Sequence, residues 1–360
     1  MNNRLKALAV SLLALTAIGF FFADSGSASA SGSCRSTLYV TNYTSDNVSV
    51  IDTATNTING APIGVGATPG GIAITPDGTT AYIANYGTNN VSAIDTATNT
   101  VIGTISLGPS AAPIGIAITP DGTTAYIANY GTNNVSAIDT ATNTVIGTIS
   151  LGPSAAPVGI AITPDGTTAY ITNSGTNTVS AIDTATNTIV GSPITVGTYP
   201  FAIAVTPDGT TAYITNLLNT YVSVIDLATN TVTGVITVID PSASDIAFTP
   251  DGTTAYVTIY DTHRVIVINT ATNTVTGVIL VSSNPEGVAI TSDGTTAYVA
   301  LYGSGNVSII DTATNTVTGN ITVGGTPLQA ALLPCQQPTP PTTVTSTTLV
   351  NPQVAPAFTG

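Results

Sequence analysis

Basic side chains are almost absent from this chain. Its 360 residues include only four lysines and arginines against 18 aspartates and glutamates, which gives a formal net charge of −14 at pH 7. Phosphate backbones repel such a charge balance, so nucleic acids are excluded as partners. Charged residues of either sign make up only 6% of the chain. The surface is therefore mostly neutral and rich in Thr and Asn, rather than densely acidic.

Side chains that bind metals or act as nucleophiles are also scarce. The chain has one histidine and two cysteines, and we predict below that the two cysteines form a disulfide. The histidine alone provides too few ligands for a zinc site. No G-x-S-x-G elbow supports a serine triad with His263, and the glycines of residues 64–71 do not match a phosphate-binding or dinucleotide-binding loop. The repeated IDTATNT segment lacks the bidentate Glu of a calcium loop. We expect no metal and no cofactor.

Repetition is what the chain has in abundance. Residues 81–124 recur as residues 125–168 with a single change, from Ile114 to Val158. Looser copies begin at Thr37, Ala169, Ala212, Ala255 and Ala297. The period of about 43 residues is typical of propellers and solenoids. We therefore count seven copies of one structural unit.

Each copy contains four short runs rich in Val, Ile, Thr and Tyr, which favour strands. Two turn motifs join them. TPDGTT offers Pro76 and Gly78 for a bulged hairpin, and in IDTATNT Asp95 can accept hydrogen bonds from the following backbone while Asn99 tolerates a left-handed conformation. Both motifs predict tight hairpins between antiparallel strands.

The strands do not alternate cleanly between apolar and polar residues, so both faces of each sheet should be buried. Small residues in the GIAI runs suit an innermost strand near an axis. We therefore predict an all-β fold: a seven-bladed β-propeller of four-stranded antiparallel blades over residues 34–335, closed by pairing of the N- and C-terminal strands. Segment 329–333 is expected to supply the innermost strand of the blade that begins at Leu38.

The repeats also suggest a family. Residues 39–42 spell YVTN, and later copies vary it as YIAN, YITN, YVTI and YVAL. The chain resembles the YVTN β-propeller repeats of surface-layer and secreted proteins, which share no single activity. Two neighbouring copies are almost identical, which favours repeated shallow surfaces over one tuned pocket. We therefore predict a non-catalytic scaffold for interaction, adhesion or a surface layer, not an enzyme. Its expected partners are cell-envelope or extracellular proteins or glycans. The alternative is a secreted hydrolase or lyase that works on one loop face.

The chain termini predict export. Residues 1–30 combine Arg4 and Lys6, an apolar run and an Ala28-Ser29-Ala30 cleavage site, as in a secretory signal peptide. A retained membrane anchor and a lipoprotein modified at Cys34 are the alternatives. Residues 336–360 form a Pro/Thr-rich linker or stalk, whose end resembles a truncated wall-sorting signal. We expect a secreted, cell-surface or cell-wall protein with no membrane span in the mature chain.

The two cysteines occupy equivalent repeat positions. Cys34 and Cys335 both align with the Asp of the PDG turn, one at each end of the repeat region. Export permits a disulfide between them, and so long a loop would stabilise the fold by about 4–5 kcal/mol. The alternative is two free thiols. We predict that the disulfide fastens the ring.

Hairpin alternation sorts the loops by face. The PDG and DTATNT turns define a constant face, and the other two junctions of each copy define a variable face, where a tailored site would lie. Variation peaks in the blade from Ser244 to about Val278, whose entry loop brings Asp240 and Asp245, while Glu286 lies in the next entry loop. The candidate ligand-binding residues are Asp240, Asp245, Tyr260, Asp261, His263, Arg264 and Glu286, extended by Tyr199, Phe201, Leu217, Leu218 and Tyr221. The alternative is drift in unconstrained loops.

Overall fold

The protein forms a closed ring of seven blades, each a four-stranded antiparallel sheet except for one divided outer strand. The computed structural model describes residues 37–334, and none of them belongs to a helix that could span a membrane. Blade A contains β1 (Thr37–Asn42), β2 (Asn47–Asp52), β3 (Thr57–Ile58), β4 (Ile63–Gly64) and β29 (Pro327–Leu332). Blade B contains β5 (Pro69–Ile74), β6 (Thr80–Asn85), β7 (Asn90–Asp95) and β8 (Thr100–Ser106).

The other five blades follow in chain order. Blade C is β9 (Pro113–Ile118), β10 (Thr124–Asn129), β11 (Asn134–Asp139) and β12 (Thr144–Ser150). Blade D is β13 (Pro157–Ile162), β14 (Thr168–Asn173), β15 (Thr178–Asp183) and β16 (Thr188–Thr195). Blade E is β17 (Pro200–Val205), β18 (Thr211–Asn216), β19 (Tyr221–Asp226) and β20 (Thr231–Thr237). Blade F is β21 (Ala243–Phe248), β22 (Thr254–Ile259), β23 (Arg264–Asn269) and β24 (Thr274–Leu280). Blade G is β25 (Pro285–Ile290), β26 (Thr296–Leu301), β27 (Asn306–Asp311) and β28 (Thr316–Thr322).

The ring closes through strands from opposite ends of the chain. β29 is the innermost strand of blade A and pairs antiparallel with β1, with Leu38 opposite Leu332. The Leu333 N–H then donates to the Thr37 carbonyl oxygen at 2.7 Å. This confirms the predicted closure. Cys34 and Cys335 lie just outside the described residues, so their disulfide stays a prediction that an intact mass measured without reductant would test.

The repeated turns on the constant face have the predicted local chemistry. Gly78 and Asn99 adopt positive φ values of 72° and 55°. The Asp95 side chain accepts a hydrogen bond from the Thr98 N–H at 2.7 Å, and Asp77 accepts one from the Thr75 hydroxyl at 2.6 Å. These bonds satisfy backbone and hydroxyl donors within the turns, so the constant face consists of self-contained hairpins.

A buried tyrosine joins each blade to the next. The first tyrosine of every YVTN-type strand is nearly inaccessible to solvent, and its hydroxyl donates to an asparagine side chain in the outer hairpin of the following blade. For example, Tyr126 donates to Asn187 Oδ1 at 2.6 Å. The seven pairs are Tyr39–Asn99, Tyr82–Asn143, Tyr126–Asn187, Tyr170–Asn230, Tyr213–Asn273, Tyr256–Asn315 and Tyr298–Asn56. Each asparagine has a positive φ, so it serves both the turn and the contact between blades. The last pair joins blade G to blade A and completes the ring.

Candidate functional site

The loops of the variable face meet the innermost strands in the same way in all seven blades. The residue after each second strand donates its backbone N–H to the carbonyl oxygen of the residue just before the innermost strand, at 2.9–3.2 Å. These donor residues are Tyr43, Tyr86, Tyr130, Ser174, Leu217, Tyr260 and Tyr302. The repeat therefore places five tyrosines around the axis at one level.

A sixth tyrosine joins this ring from another loop. Tyr199 precedes β17 in the neighbouring blade and interacts through its hydroxyl with Tyr130 and Ser174, at the position where the ring lacks a tyrosine. Its φ of 58° is unusual for a bulky residue. We call these six residues the tyrosine collar: Tyr43, Tyr86, Tyr130, Tyr199, Tyr260 and Tyr302. Ring centroids lie 6.4 Å apart for Tyr43 and Tyr302 and 6.1 Å apart for Tyr260 and Tyr302.

The collar packs on a buried layer formed by the second residues of the innermost strands. Four of these residues are large and apolar: Ile114, Val158, Phe201 and Leu328, all at most 2% exposed. Ser244 and Glu286 occupy the same position in β21 and β25. The axial layer is thus apolar on one side and polar on the side of blades F and G.

Two carboxyl groups are buried in this polar sector. Asp245, the third residue of β21, is fully buried, and Glu286 is 2% exposed. Asp245 Oδ2 accepts the Val288 N–H at 2.9 Å. The Thr258 hydroxyl accepts the Asp245 N–H at 2.8 Å and donates to the Glu286 carbonyl oxygen at 2.6 Å, which fixes the two strands relative to each other. Glu286 Oε2 has no hydrogen-bond partner among residues 37–334.

Burial changes the protonation of both carboxyl groups. It raises the pKa of Asp245 from 3.8 to about 7, although hydrogen bonds from Val288, Ile246 and Gln329 oppose the rise. The pKa of Glu286 is raised well above 4.5, first by burial and then by the negative charges of Asp245 and Asp261. Burial therefore shifts both carboxyl groups toward the protonated form, and Asp245, with a pKa of about 7, exchanges a proton near neutral pH. Buried carboxyl groups with raised pKa values are candidates for acid–base catalysis.

The other candidate residues lie at the surface beside this pair. Asp261 is exposed, and its Oδ2 accepts the Ser242 hydroxyl at 2.5 Å. Arg264 Nη1 contacts Asp240 Oδ2 at 2.6 Å, with the two side chains 33% and 26% exposed. His263 is exposed and accepts the Asn284 N–H through Nδ1 at 3.0 Å. All seven predicted residues thus lie on the variable side of blades F and G, at two depths.

Asp245 and Glu286 were predicted in loops of the variable face, whereas both belong to innermost strands and are inaccessible to solvent. Tyr199 and Tyr260 were predicted, but the other four collar tyrosines and Thr258 were not. Among the residues predicted to extend the site, Phe201 and Leu217 are buried, whereas Leu218 is 47% exposed. The overlooked signal was the repeat itself: Asp245 stands where Gly71, Gly115, Gly159 and Gly287 occur in other blades.

Elsewhere the described residues offer weaker candidates. No group of three or more His, Cys, Asp or Glu side chains within residues 37–334 is arranged to hold a metal ion. A shallow groove lies on the constant face between blades E and F, lined by residues such as Thr206, Asp208 and Asn273. Asp208 and Asn273 already hold the repeated turns and the contact between blades. The acid–base pair under the collar is therefore the better candidate site.

Fold and site together define a seven-bladed β-propeller with titratable carboxyl groups at its axis. The sequence profile of the family described as "Lactonase, 7-bladed beta-propeller" matches residues 37–331. The chain belongs to this family. No curated protein matches it in sequence.

Solved structures share the fold. Hydrazine synthase of Kuenenia stuttgartiensis is 26% identical, with a TM-score of 0.65 over 72% of this chain and 88% of that chain. A provisionally assigned 6-phosphogluconolactonase of Bacteroides fragilis is 20% identical, with a TM-score of 0.70 over 85% and 99%. The periplasmic gluconolactonase of Pseudomonas aeruginosa is 17% identical, with a TM-score of 0.69 over 84% and 99%.

Family membership corrects two predictions. The predicted non-catalytic scaffold was wrong, and so was the prediction that the chain is not an enzyme, because the family is one of lactonases. Both predictions relied on the near-identity of two neighbouring copies, which favoured repeated shallow surfaces over one tuned pocket, and on the missing serine elbow and zinc ligands. A general base and a general acid can together catalyse the opening of a lactone, and two carboxyl groups can supply both roles. The resemblance to YVTN surface-layer repeats is confirmed only as far as the seven-bladed propeller.

Proposed function

We propose that the protein hydrolyses lactones, with Asp245 and Glu286 as its acid–base pair. The observation that carries the proposal is the burial of both carboxyl groups at the axis, which raises the pKa of Asp245 to about 7 and that of Glu286 well above its ordinary value. Family membership supports lactone hydrolysis as the type of reaction. The burial and hydrogen bonding described above support Asp245 and Glu286 as the residues that perform it.

Asp245 is the general base in this proposal. A base works best when its pKa lies near the working pH, because it is then ionised yet still accepts a proton readily. The Asp245 carboxylate takes a proton from a water molecule while the water oxygen attacks the lactone carbonyl carbon. The Val288 N–H bond to Oδ2 and the Thr258 bond to the Asp245 backbone hold the carboxylate in place.

Glu286 is the general acid. When the tetrahedral intermediate collapses, the bond between the carbonyl carbon and the ring oxygen breaks, and the electron pair stays on that oxygen. The protonated Glu286 carboxyl donates a proton to it. The product is an open hydroxy acid, and its ionisation releases one proton to solvent while Asp245 and Glu286 return to their starting states. Burial, and then the negative charges of Asp245 and Asp261, raise the pKa of Glu286, which favours its protonated form before the reaction.

Access to the pair runs through the tyrosine collar. Both carboxyl groups are at most 2% exposed, whereas Tyr86, Tyr130, Tyr199 and Tyr302 are only partly buried. A lactone reaches the carboxyl groups when these rings rotate aside. Closure behind the substrate excludes bulk water, as loops do in many hydrolases.

The test compares two kinds of leaving group in the variant Glu286→Gln. An aliphatic lactone such as δ-gluconolactone leaves an alkoxide that needs a proton, whereas dihydrocoumarin leaves a stabilised phenolate. We expect the variant to lose about 100-fold in kcat on the aliphatic lactone and much less on dihydrocoumarin. Proton release followed in a pH-stat measures both reactions.

Asp311→Asn is the matched control. The equivalent turn of blade F already carries Asn269, whose side chain accepts the same Thr N–H, so the substitution fits the fold. It should leave both rates unchanged. If the wild-type protein hydrolyses no lactone, the proposed function is wrong. Equal losses on both substrates would remove Glu286 from the role of general acid.

The proposal also includes a location. The signal-peptide pattern of residues 1–30 and the resemblance to YVTN repeats of secreted proteins support work outside the cytoplasm, on lactones of the surrounding medium or envelope. Binding to envelope or extracellular proteins or glycans remains an accompanying proposal. Detection of the protein only in the cytoplasmic fraction of its host would contradict this location.

A further inference from the structure

Positively charged side chains are nearly absent from the surface around the tyrosine collar. Arg264 is the sole lysine or arginine among residues 37–334, which contain every acidic residue of the chain except Asp24. A site for a phosphorylated or carboxylated substrate normally presents several cationic or backbone N–H donors. Here, Arg264 is the one side chain among residues 37–334 with a permanent positive charge.

Arg264 lies within reach of a ligand bound at the collar. It is the first residue of β23, directly opposite Ile259, and Ile259 immediately precedes the collar residue Tyr260. Neighbouring strands are about 4.8 Å apart, so Arg264 begins about one strand spacing outward from the collar. A substrate whose lactone carbonyl lies at the buried carboxyl groups would extend its distal substituent past the collar toward this arginine.

The side chain of Asp240 already forms an ion pair with Arg264. The 2.6 Å contact joins Asp240 Oδ2 to Arg264 Nη1, and both side chains are only partly exposed. An incoming phosphate would have to share Arg264 with Asp240, and the negative charge of Asp240 opposes its binding. The ion pair thus lowers the affinity of Arg264 for anions.

We propose that Asp240 selects substrates by their charge. Because Asp240 forms an ion pair with Arg264, the site accepts uncharged lactones and rejects phosphorylated ones. This inference rests on the proposed lactone hydrolysis. A preference for uncharged lactones would distinguish this chain from a 6-phosphogluconolactonase. In this arrangement Arg264 and Asp240 form a neutral rim, and the collar tyrosines supply the contact surface for an uncharged ring.

The experiment compares kcat/KM for δ-gluconolactone and 6-phosphogluconolactone in wild type, Asp240→Asn and Asp240→Asn/Arg264→Gln. Wild type should prefer the unphosphorylated lactone. Asp240→Asn, which frees the guanidinium, should raise the ratio of phosphorylated to unphosphorylated kcat/KM at least about tenfold, since a charge-assisted bond becomes available. The double variant should lose this gain, and Asp311→Asn should keep the wild-type ratio.

Binding of 6-phosphogluconate, measured by calorimetry, tests the same inference without turnover. Asp240→Asn should bind it, whereas wild type and the double variant should not. A wild-type preference for the phosphorylated lactone, or an unchanged ratio in Asp240→Asn, would overturn the role of Asp240. Absence of hydrolysis in all variants would instead overturn the proposed function, and the calorimetric comparison would still decide the charge inference.

Discussion

Asp245→Asn should nearly abolish lactone hydrolysis and, at the same time, make the protein more stable at alkaline pH. An amide cannot accept a proton from water, so we expect kcat to fall about 10³-fold on every lactone, including dihydrocoumarin. The base acts before the leaving group departs, so a better leaving group cannot compensate. This pattern differs from that of Glu286→Gln.

The gain in stability follows from the raised pKa. An aspartate with a pKa of about 7 in the fold and 3.8 as its ordinary value stays protonated in the fold while the unfolded chain ionises. Its favourable contribution is complete below pH 3.8 and is lost as pH rises through 7, a difference on the order of 4 kcal/mol. Asparagine has no such dependence. The Tm of Asp245→Asn should therefore exceed that of wild type at pH 8, and the two should converge near pH 4.

Thermal unfolding between pH 4 and pH 8, together with lactone assays, measures both effects. Asp311→Asn is again the control, because hydrogen bonds from Thr314 lower the pKa of Asp311 and its removal cannot produce an alkaline gain. An inactive variant with a lower Tm at pH 8 would indicate simple damage to the core. A fully active variant would exclude Asp245 as the base.

Most of the fold could be predicted because one local solution is repeated seven times. The local chemistry of Gly78, Asp95 and Asn99 can be recognised in a single copy, and all three behave as expected. The outer strand of blade A was less predictable. It is divided into β3 and β4, where residues 59–62 replace the usual continuous strand. The equivalent segment of blade D has the same length but forms one continuous strand, so the repeat pattern gives no sign of the division.

The site was only partly predictable, because the burial of a residue depends on how all seven blades close into a ring and not on any one blade. Asp245 and Glu286 look like loop residues beside Pro241 and Asn284, yet the innermost strands begin early enough to bury them. Likewise, the tyrosine of a single NYG loop looks like an ordinary turn residue. Only closure of seven blades brings six tyrosines to one axis, with Tyr199 coming from a different loop. Aligning the copies would have exposed Asp245 as a carboxylate at a glycine position.

The closing strand should be indispensable for folding. Truncation after Gly325 removes β29, which carries the fully buried side chains of Leu328, Gln329 and Ala331. Its loss leaves the inner edge of β1 unpaired. It also leaves a gap between the innermost strands of blades G and B, so the ring opens. Exposing the apolar clusters on both sides of blade A costs several kcal/mol per large side chain, against a total stability of about 5–15 kcal/mol.

We therefore expect the truncated protein to show no cooperative unfolding transition and to aggregate, since an unpaired inner strand edge is a template for further pairing. Truncation after Cys335 is the matched control: it removes the Pro/Thr-rich segment but keeps β29 and both cysteines, and its Tm should equal that of the full chain. Calorimetry and size-exclusion chromatography distinguish the two. A soluble truncated protein with an unchanged Tm would mean that six intact blades and an open seventh suffice, and that the pairing of β1 with β29 contributes little to the ring.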